Sequence, residues 1–291
     1  MAEGLFVSVN RGISEIKRYT DWDDWSHIVP GEFGGNGCTD LLFYRRSAGV
    51  GLFVSTDGSG GVSEISNHND WDKDWDLIVP VSSVSVLFYK RSTGEGLFAR
   101  PDGQGGLTEV RRHTDWDPGW DLIVPGAFGG DAGSDLLFYN RSAGEGWFAS
   151  TDGGGGVAEL GRHTDWDRDW DLIVPGSFGL GSFTGLLLYK RSAGEGLFVT
   201  TNGRGGITEL RRHTDWDRDW NLITPITGLG GGFTALVFYR RSGGEGLIAR
   251  TNRRGNLTEI SHATDWDNDW KQIVPGQFAD STITTDLLFY K

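Results

Sequence analysis

The sequence has few of the residues that staple a chain or attach it to membranes and nucleic acids. Its single cysteine, Cys38, excludes an internal disulfide and therefore a disulfide-stapled scaffold. No apolar run approaches the ~20 residues that cross a bilayer. Lysine and arginine total 27 against 40 acidic residues, a net charge of -13, which repels phosphate backbones and anionic lipid. We therefore expect neither a nucleic acid partner nor membrane insertion.

The N-terminal residues also lack two features of a secretory signal. The segment MAEGLFVSVN has no basic region and no long apolar region. We therefore expect no signal peptide, which leaves synthesis in the cytoplasm or export by another route.

An internal repeat organises the residues that are abundant. The tripeptide Asp-Trp-Asp recurs at intervals of 45 to 50 residues, and a second tryptophan follows it each time. Each unit also contains an apolar run that ends in tyrosine. The first tryptophans of the pairs are Trp22, Trp71, Trp116, Trp166, Trp216 and Trp266, and the second are Trp25, Trp75, Trp120, Trp170, Trp220 and Trp270.

Each unit predicts four short strands, called a to d in chain order. In the unit at Trp166 the strands are LIVPGSF, GLLLYK, EGLFVTT and ITELRRH, separated by glycine-rich turns. Four strands in about 50 residues are typical of a propeller blade, whereas solenoid coils are shorter and parallel. The sequence therefore predicts an all-β fold, a six-bladed β-propeller of four antiparallel strands per blade, as one domain over residues 1–291.

The two ends of the sequence predict how the ring closes. The chain starts at a strand c and stops after a strand b. We expect the N-terminal c and d strands to share a blade with the C-terminal a and b strands, with residues 3–9 pairing with residues 285–291. Such a joint removes open sheet edges.

Antiparallel strands place the d-to-a and b-to-c loops on one face of the ring. These loops carry the tryptophan pairs and the KRSAGEG segments, and aromatic rings beside charged groups are typical of sugar sites. The predicted sugar-binding residues are the twelve paired tryptophans, the arginines Arg46, Arg91, Arg141, Arg191 and Arg241, and the glutamates Glu95, Glu145, Glu195 and Glu245.

Structural roles for the same residues remain open at this point. The second tryptophan of each pair leads into strand a and could pack between blades. The first could either stack on a ligand or lock its loop. Each arginine, such as Arg191, could pair with a nearby carboxylate.

Neither a metal nor catalysis is expected. The turn GEFGGNGCTD resembles the cation loop of FG-GAP or VCBS repeats, but its cation positions are occupied by Glu32, Gly34, Asn36 and Asp40, and later units keep still fewer ligands. An enzyme needs one asymmetric constellation, whereas the polar residues here recur around the ring. Most histidines repeat one loop position, and Ser150–Gly154 resembles a sialidase Asp-box only partly. The sequence predicts no metal, no cofactor and no enzyme.

A family resemblance accompanies these patterns. The pattern W-x-x-I-V-P-G-x-F, then D-L-L-F-Y-x-R-x-x-G-x-G-x-F and T-D-G-x-G-G, is clearest over residues 120–156 and resembles the repeat of the PLL-type β-propeller lectins of Photorhabdus. Those propellers have seven blades, whereas six units occur here. The resemblance implies a multivalent lectin for fucose or O-methylated sugars, bound between blades. The alternative is a structural or protein-interaction scaffold, possibly an engineered repeat protein, without sugar binding.

Overall fold

Six four-stranded antiparallel sheets form the protein in a computed structural model that describes residues 2–10, 12–83, 85–129, 134–230, 232–279 and 285–291. Each sheet is one blade, and the innermost strands of neighbouring blades contact one another around the ring. The predicted six-bladed propeller is therefore confirmed.

The strands follow the chain order of the repeat. They are β1 (Ala2–Val9), β2 (Ile13–Trp22), β3 (His27–Gly31), β4 (Asp40–Arg45), β5 (Val50–Thr56), β6 (Val62–His68), β7 (Leu77–Ser82), β8 (Ser85–Lys90), β9 (Glu95–Pro101), β10 (Leu107–His113), β11 (Leu122–Gly126), β12 (Asp135–Asn140), β13 (Glu145–Thr151), β14 (Val157–His163), β15 (Leu172–Gly176), β16 (Gly185–Lys190), β17 (Glu195–Thr201), β18 (Ile207–His213), β19 (Leu222–Ile226), β20 (Ala235–Arg240), β21 (Glu245–Thr251), β22 (Leu257–Ala263), β23 (Gln272–Gly276) and β24 (Asp286–Tyr290). A single 3-10 turn, Arg241–Gly243, lies between β20 and β21.

Five blades are continuous in sequence and one is composite. Blades 1 to 5 are β3–β6, β7–β10, β11–β14, β15–β18 and β19–β22. The sixth, which we call the closure blade, has the strand order β2-β1-β24-β23. In it Gly4 pairs with Tyr290 and Val7 with Leu287, and the backbones of Glu3 and Lys291 exchange two hydrogen bonds of 3.0 Å. The predicted joint between the two ends of the sequence is confirmed.

The position of each strand in its blade follows from its residues. The innermost strands carry proline in the segment IVP, or ITP in β19, and proline suits an edge because it has no N–H to leave unpaired. The b strands are apolar on both faces, since each blade packs between two others; every residue of β12 is buried. The outer strands, such as β10, expose most of their polar residues. The core therefore consists of layers between blades, and functional side chains lie at the loop ends of these layers.

Within the described residues, no helix is long and apolar enough to cross a membrane.

Candidate active site

Clefts lie between neighbouring blades at the face of the Asp-Trp-Asp loops. Between blades 1 and 2, Trp71 and Trp75 face Leu97 and Arg112 of blade 2 around a cavity of about 320 Å³. Further cavities lie at the loops of Trp22 and Trp266. We name each cleft after the first tryptophan of its pair.

The first tryptophan of each pair packs into a slot of its own blade, by which we mean the space above a glycine of strand c and between side chains of strands b and d. Tyr189, Gly196 and His213 are direct neighbours across three strands of blade 4. A Cβ on Gly196 would lie only 2.4 Å from the Trp216 ring, so the indole edge contacts the backbone there. The centroid of Tyr189 lies 6.0 Å and that of His213 5.2 Å from the indole. Both faces of Trp216 are therefore covered, and this geometry favours the loop-locking role. A ring equivalent to His213 stacks or tilts against the first tryptophan in five blades, as Tyr19, His68, His113, His163 and His213.

The second tryptophan of each pair is a core residue. These side chains are between 1% and 7% exposed. A cation from the end of strand b covers the ring, as Lys90 does with its Nζ 4.4 Å from the Trp75 centroid. Its equivalents are Arg45, Lys190, Arg240 and Lys291. The second tryptophans therefore pack between blades, and five of the six have one face under a cation.

The cations that cover the second tryptophans form ion pairs with carboxylates of two blades. Lys90 Nζ lies 2.7 Å from Asp72, 3.4 Å from Asp74 and 3.1 Å from Glu95. Burial opposes the charge on Lys90, but hydrogen bonds to Asp72 and Glu95 outweigh it and raise its pKa. Arg112 binds the other side of Glu95. The glutamates that the sequence singled out thus lie in the clefts, each paired with a cation, as Glu95, Glu145, Glu195 and Glu245.

The arginines of the b-to-c loops join neighbouring blades. Arg141 donates from Nε to the Trp170 carbonyl at 3.0 Å and from Nη2 to the Asp171 carbonyl at 2.9 Å. Arg46 instead forms an ion pair of 2.9 Å with Asp76. Several N–H groups of these arginines are therefore already bonded to backbone carbonyls of the next blade. Arg91, Arg191 and Arg241 bind the carbonyls of Trp120, Trp220 and Trp270 in the same way.

Two clefts depart from the repeat without gaining an acid–base pair. In the Trp116 cleft, Asn140 replaces the cation and Trp147 stacks on Trp120 at 5.9 Å. In the Trp22 cleft, Val50 and Asn67 occupy the positions of the paired glutamate and arginine. The clefts are therefore not equivalent, although the loops around them are similar.

The Trp216 cleft contains His262, a second histidine, besides His27, that departs from the repeated position. His262 pairs with Leu247 across the sheet, as Arg112 does with Leu97, so it takes the arginine position. Its Nε2 lies 2.8 Å from Oε1 of Glu245. The Glu245 side chain is 9% exposed and that of His262 is 42% exposed. Arg240 binds Oε2 of the same glutamate.

This arrangement gives one nitrogen of the imidazole a carboxylate partner. When Nε2 donates its proton to Glu245, Nδ1 carries the lone pair and can act as a base. The cleft can therefore take a proton from a water molecule and return it.

Sequence analysis missed His262 because it was grouped with the repeated histidines. His213 precedes its tryptophan by three residues, whereas His262 precedes Trp266 by four. A shift of one residue on a strand moves a side chain to the opposite face. The spacing to the tryptophan was therefore the signal that separates His262 from the other histidines.

The turns that resemble cation loops have another use. Asp40 accepts hydrogen bonds from the N–H groups of Phe33 at 2.9 Å, Gly34 at 2.5 Å and Thr56 at 3.1 Å. The separate c-to-d turn at Asp152, which partly resembles an Asp-box, is closed by N–H bonds from Gly154 and Gly156, which lower the pKa of that carboxyl. Within the described ranges, no group of three or more His, Cys, Asp or Glu side chains is arranged to hold a metal.

Comparison with known proteins identifies fold relatives. No protein family and no curated protein matches the chain. A protein of Lactobacillus plantarum matches with a TM-score of 0.58 and 12% identity, over 94% of this chain and 86% of that one. A putative 6-phosphogluconolactonase of Bacteroides fragilis matches with 0.55 and 14%, over 88% and 74%. The periplasmic gluconolactonase PpgL of Pseudomonas aeruginosa matches with 0.54 and 11%, over 92% and 97%.

These neighbours contradict two predictions from the sequence. Two of the three named structures are described as lactonases. The predicted fucose-binding lectin and the prediction that the protein is not an enzyme are therefore wrong by this comparison. At 11–14% identity, the likeness itself shows the fold. The physical argument against catalysis also fails, because the repeat is not symmetric at His262.

Proposed function

We propose that the protein is a hydrolase of lactones derived from sugar acids and that its active site is the Trp216 cleft. The observation that carries this proposal is the 2.8 Å pair between His262 and Glu245, at a position that holds arginine or asparagine in the other clefts. A carboxylate-oriented imidazole is the usual means by which a protein activates water or a hydroxyl near neutral pH.

The reaction at this site needs one water molecule. His262 Nδ1 takes a proton from water while the water oxygen attacks the lactone carbonyl carbon. The ring C–O bond then breaks, and the imidazolium returns its proton to the leaving oxygen, which becomes a hydroxyl. Glu245 stabilises the imidazolium between the two transfers, and the product is the open hydroxy acid.

The charges around the cleft favour an uncharged polyhydroxylated substrate. Asp217 and Asp219 lie 3.4 Å and 3.2 Å from Arg240, and about half of each side chain is exposed. Exposed carboxylates accept hydrogen bonds from sugar hydroxyls but repel a phosphate. We therefore expect a neutral gluconolactone to be hydrolysed faster than its 6-phosphate, which separates this protein from the activity that the Bacteroides fragilis name describes.

Hydrolysis of δ-gluconolactone, followed by titration of the released acid and corrected for the spontaneous rate, tests the proposal. His262→Ala should lower kcat/KM by about 10²–10⁴-fold, the usual contribution of a positioned acid–base group. His262→Arg restores the side chain of the neighbouring clefts, so it should fold normally and be equally inactive. Arg212→His places a histidine beside Glu195 in the Trp166 cleft and serves as the matched gain-of-function variant.

Two results would contradict the proposal. The first is a folded wild-type protein that hydrolyses neither gluconolactone nor its 6-phosphate above the spontaneous rate. The second is hydrolysis that His262→Ala and Glu245→Gln leave unchanged, which would place the reaction elsewhere. Far-UV circular dichroism and the melting temperature of each variant show whether a loss of activity reflects unfolding.

A further inference from the structure

The Trp266 cleft lacks a ring that the other clefts have. Trp266 stands between Tyr239, at 6.3 Å, and the position of residue 263, which is alanine. Gly246 pairs with both Tyr239 and Ala263, so the slot has the same register as in blade 4. Within the described part of the chain, the ring contacts of Trp266 are those with Tyr239 and Phe289. One face of this indole therefore has no stacked ring.

The cavity at Trp266 reaches the position of the missing ring, because Ala263 is one of its lining residues. Its volume is about 430 Å³, within the ~300–1,000 Å³ typical of small-molecule sites. Ala263, Ser261 and Gly12 line it together with Trp266 and Trp270. The c-to-d turn of the closure blade is also shorter than the turn of blade 4, because β1 ends at Val9 and β2 begins at Ile13. The equivalent cavity at Trp71, where His68 is present, measures about 320 Å³, so the missing ring enlarges a cleft that another blade also has.

The other blades show which chemistry fits this space. In blades 1 to 4 an imidazole lies 4.7 to 5.8 Å from the first indole. That imidazole also bonds a backbone carbonyl of the next blade through Nε2, as His163 does with Gly205 at 2.7 Å. In each of these four blades, a histidine side chain of the protein therefore places a planar ring with a polar nitrogen at this position.

We propose that the Trp266 cleft binds a small planar heteroaromatic ring of the imidazole type in place of the missing side chain. The ring stacks on the face of Trp266 opposite Tyr239. Ser261 offers a hydroxyl at the edge of the cavity, and the charged residues of the lining are Asp265, Asp267 and Arg18. A ring with a donor nitrogen fits this lining better than a saturated ring, which cannot stack.

Imidazole itself is the probe, measured by the shift of the Trp266 indole N–H signal in NMR spectra and by isothermal titration. We expect saturable binding to one site with a Kd on the order of millimolar, because five ring atoms offer little contact. Tetrahydrofuran, an uncharged saturated ring of the same size, should bind at least tenfold more weakly.

Two variants make the test specific. Ala263→His supplies the side chain of blades 1 to 4 and should abolish saturable binding while raising the melting temperature. His163→Ala creates the same vacancy on Trp166, and imidazole should then bind a second equivalent. Absence of saturable binding to the wild-type protein, unchanged binding to Ala263→His, or a single equivalent on His163→Ala would each overturn the proposal. None of these measurements depends on hydrolysis, so the proposal stands apart from the function proposed for the Trp216 cleft.

Discussion

Replacing Tyr189 by phenylalanine removes one of the hydroxyls that hold the Asp-Trp-Asp loops. The hydroxyl donates to the Asp217 carbonyl and accepts the Trp220 N–H at 3.3 Å, and Tyr189 is fully buried. Phenylalanine keeps the ring but leaves the N–H of a buried tryptophan without its partner. At neutral pH we expect the free energy of unfolding to fall by about 1–3 kcal/mol, the usual cost of an unpaired buried group.

The same hydroxyl makes the effect depend on pH. Burial raises the pKa of Tyr189 to about 12 from the ordinary value of 10.0, so the unfolded chain ionises first. Its stabilising contribution is complete below pH 10 and is lost as the pH rises from 10 towards 12. At about 1.4 kcal/mol per unit, wild type should lose roughly 2–3 kcal/mol through this residue. Phenylalanine cannot ionise, so the difference between the two proteins should shrink towards zero at high pH.

Urea unfolding followed by tryptophan fluorescence between pH 7 and 11.5 measures this difference. Leu187→Val is the matched control, because it removes one buried methylene two residues before Tyr189 and no titratable group. It should cost about 1 kcal/mol at every pH. A Tyr189→Phe deficit that stays constant up to pH 11.5 would refute the link between burial of this hydroxyl and alkaline stability.

Three further predictions concern the packing of the ring. Deleting residues 285–291 removes β24, whose residues are all buried, and should lower the melting temperature by more than ~10 °C; a truncated chain as stable as its parent would contradict ring closure. Gly196→Ala places a Cβ 2.4 Å from Trp216 and should destabilise blade 4 by about 1–3 kcal/mol in urea titrations, whereas Gly243→Ala, with open space around its Cα, should cost much less. Arg141→Ala should cost about 1–3 kcal/mol by the same assay, because two carbonyls of the next blade lose their donor, and Arg141→Lys should restore only part of that loss.

The repeat made most of the architecture predictable from the sequence. Trp-pair spacing counted the blades, and short apolar segments between glycine turns located the strands, because these signals are local in the chain. The joint of β1 with β24 also followed, since a strand c without its own strand b needs a partner. Burial of Trp170 was one of two roles left open, because the cation that covers it, Lys190, comes from another strand.

The sites could not be derived in the same way, because they form between blades. The donors of Arg141 were assigned to a ligand, but they bind carbonyls about 30 residues further on, which only the packing of two blades brings within reach. The first tryptophans looked exposed beside their aspartates, yet a tyrosine and a histidine of the same blade cover both faces of Trp216.

The one-residue shift of the histidine in blade 5 shows what the sequence determined and what only the tertiary structure decided. Composition and periodicity determined a six-bladed ring, since strand propensity and burial act alike in every unit. A histidine at position 262 instead of 263 changes neither the composition nor the periodicity of the unit. On a strand, however, successive side chains point to opposite faces. The tertiary structure therefore decided that His262 lies in the Trp216 cleft beside Glu245, and that Ala263 leaves one face of Trp266 without a ring, because each face of a blade borders a different neighbour.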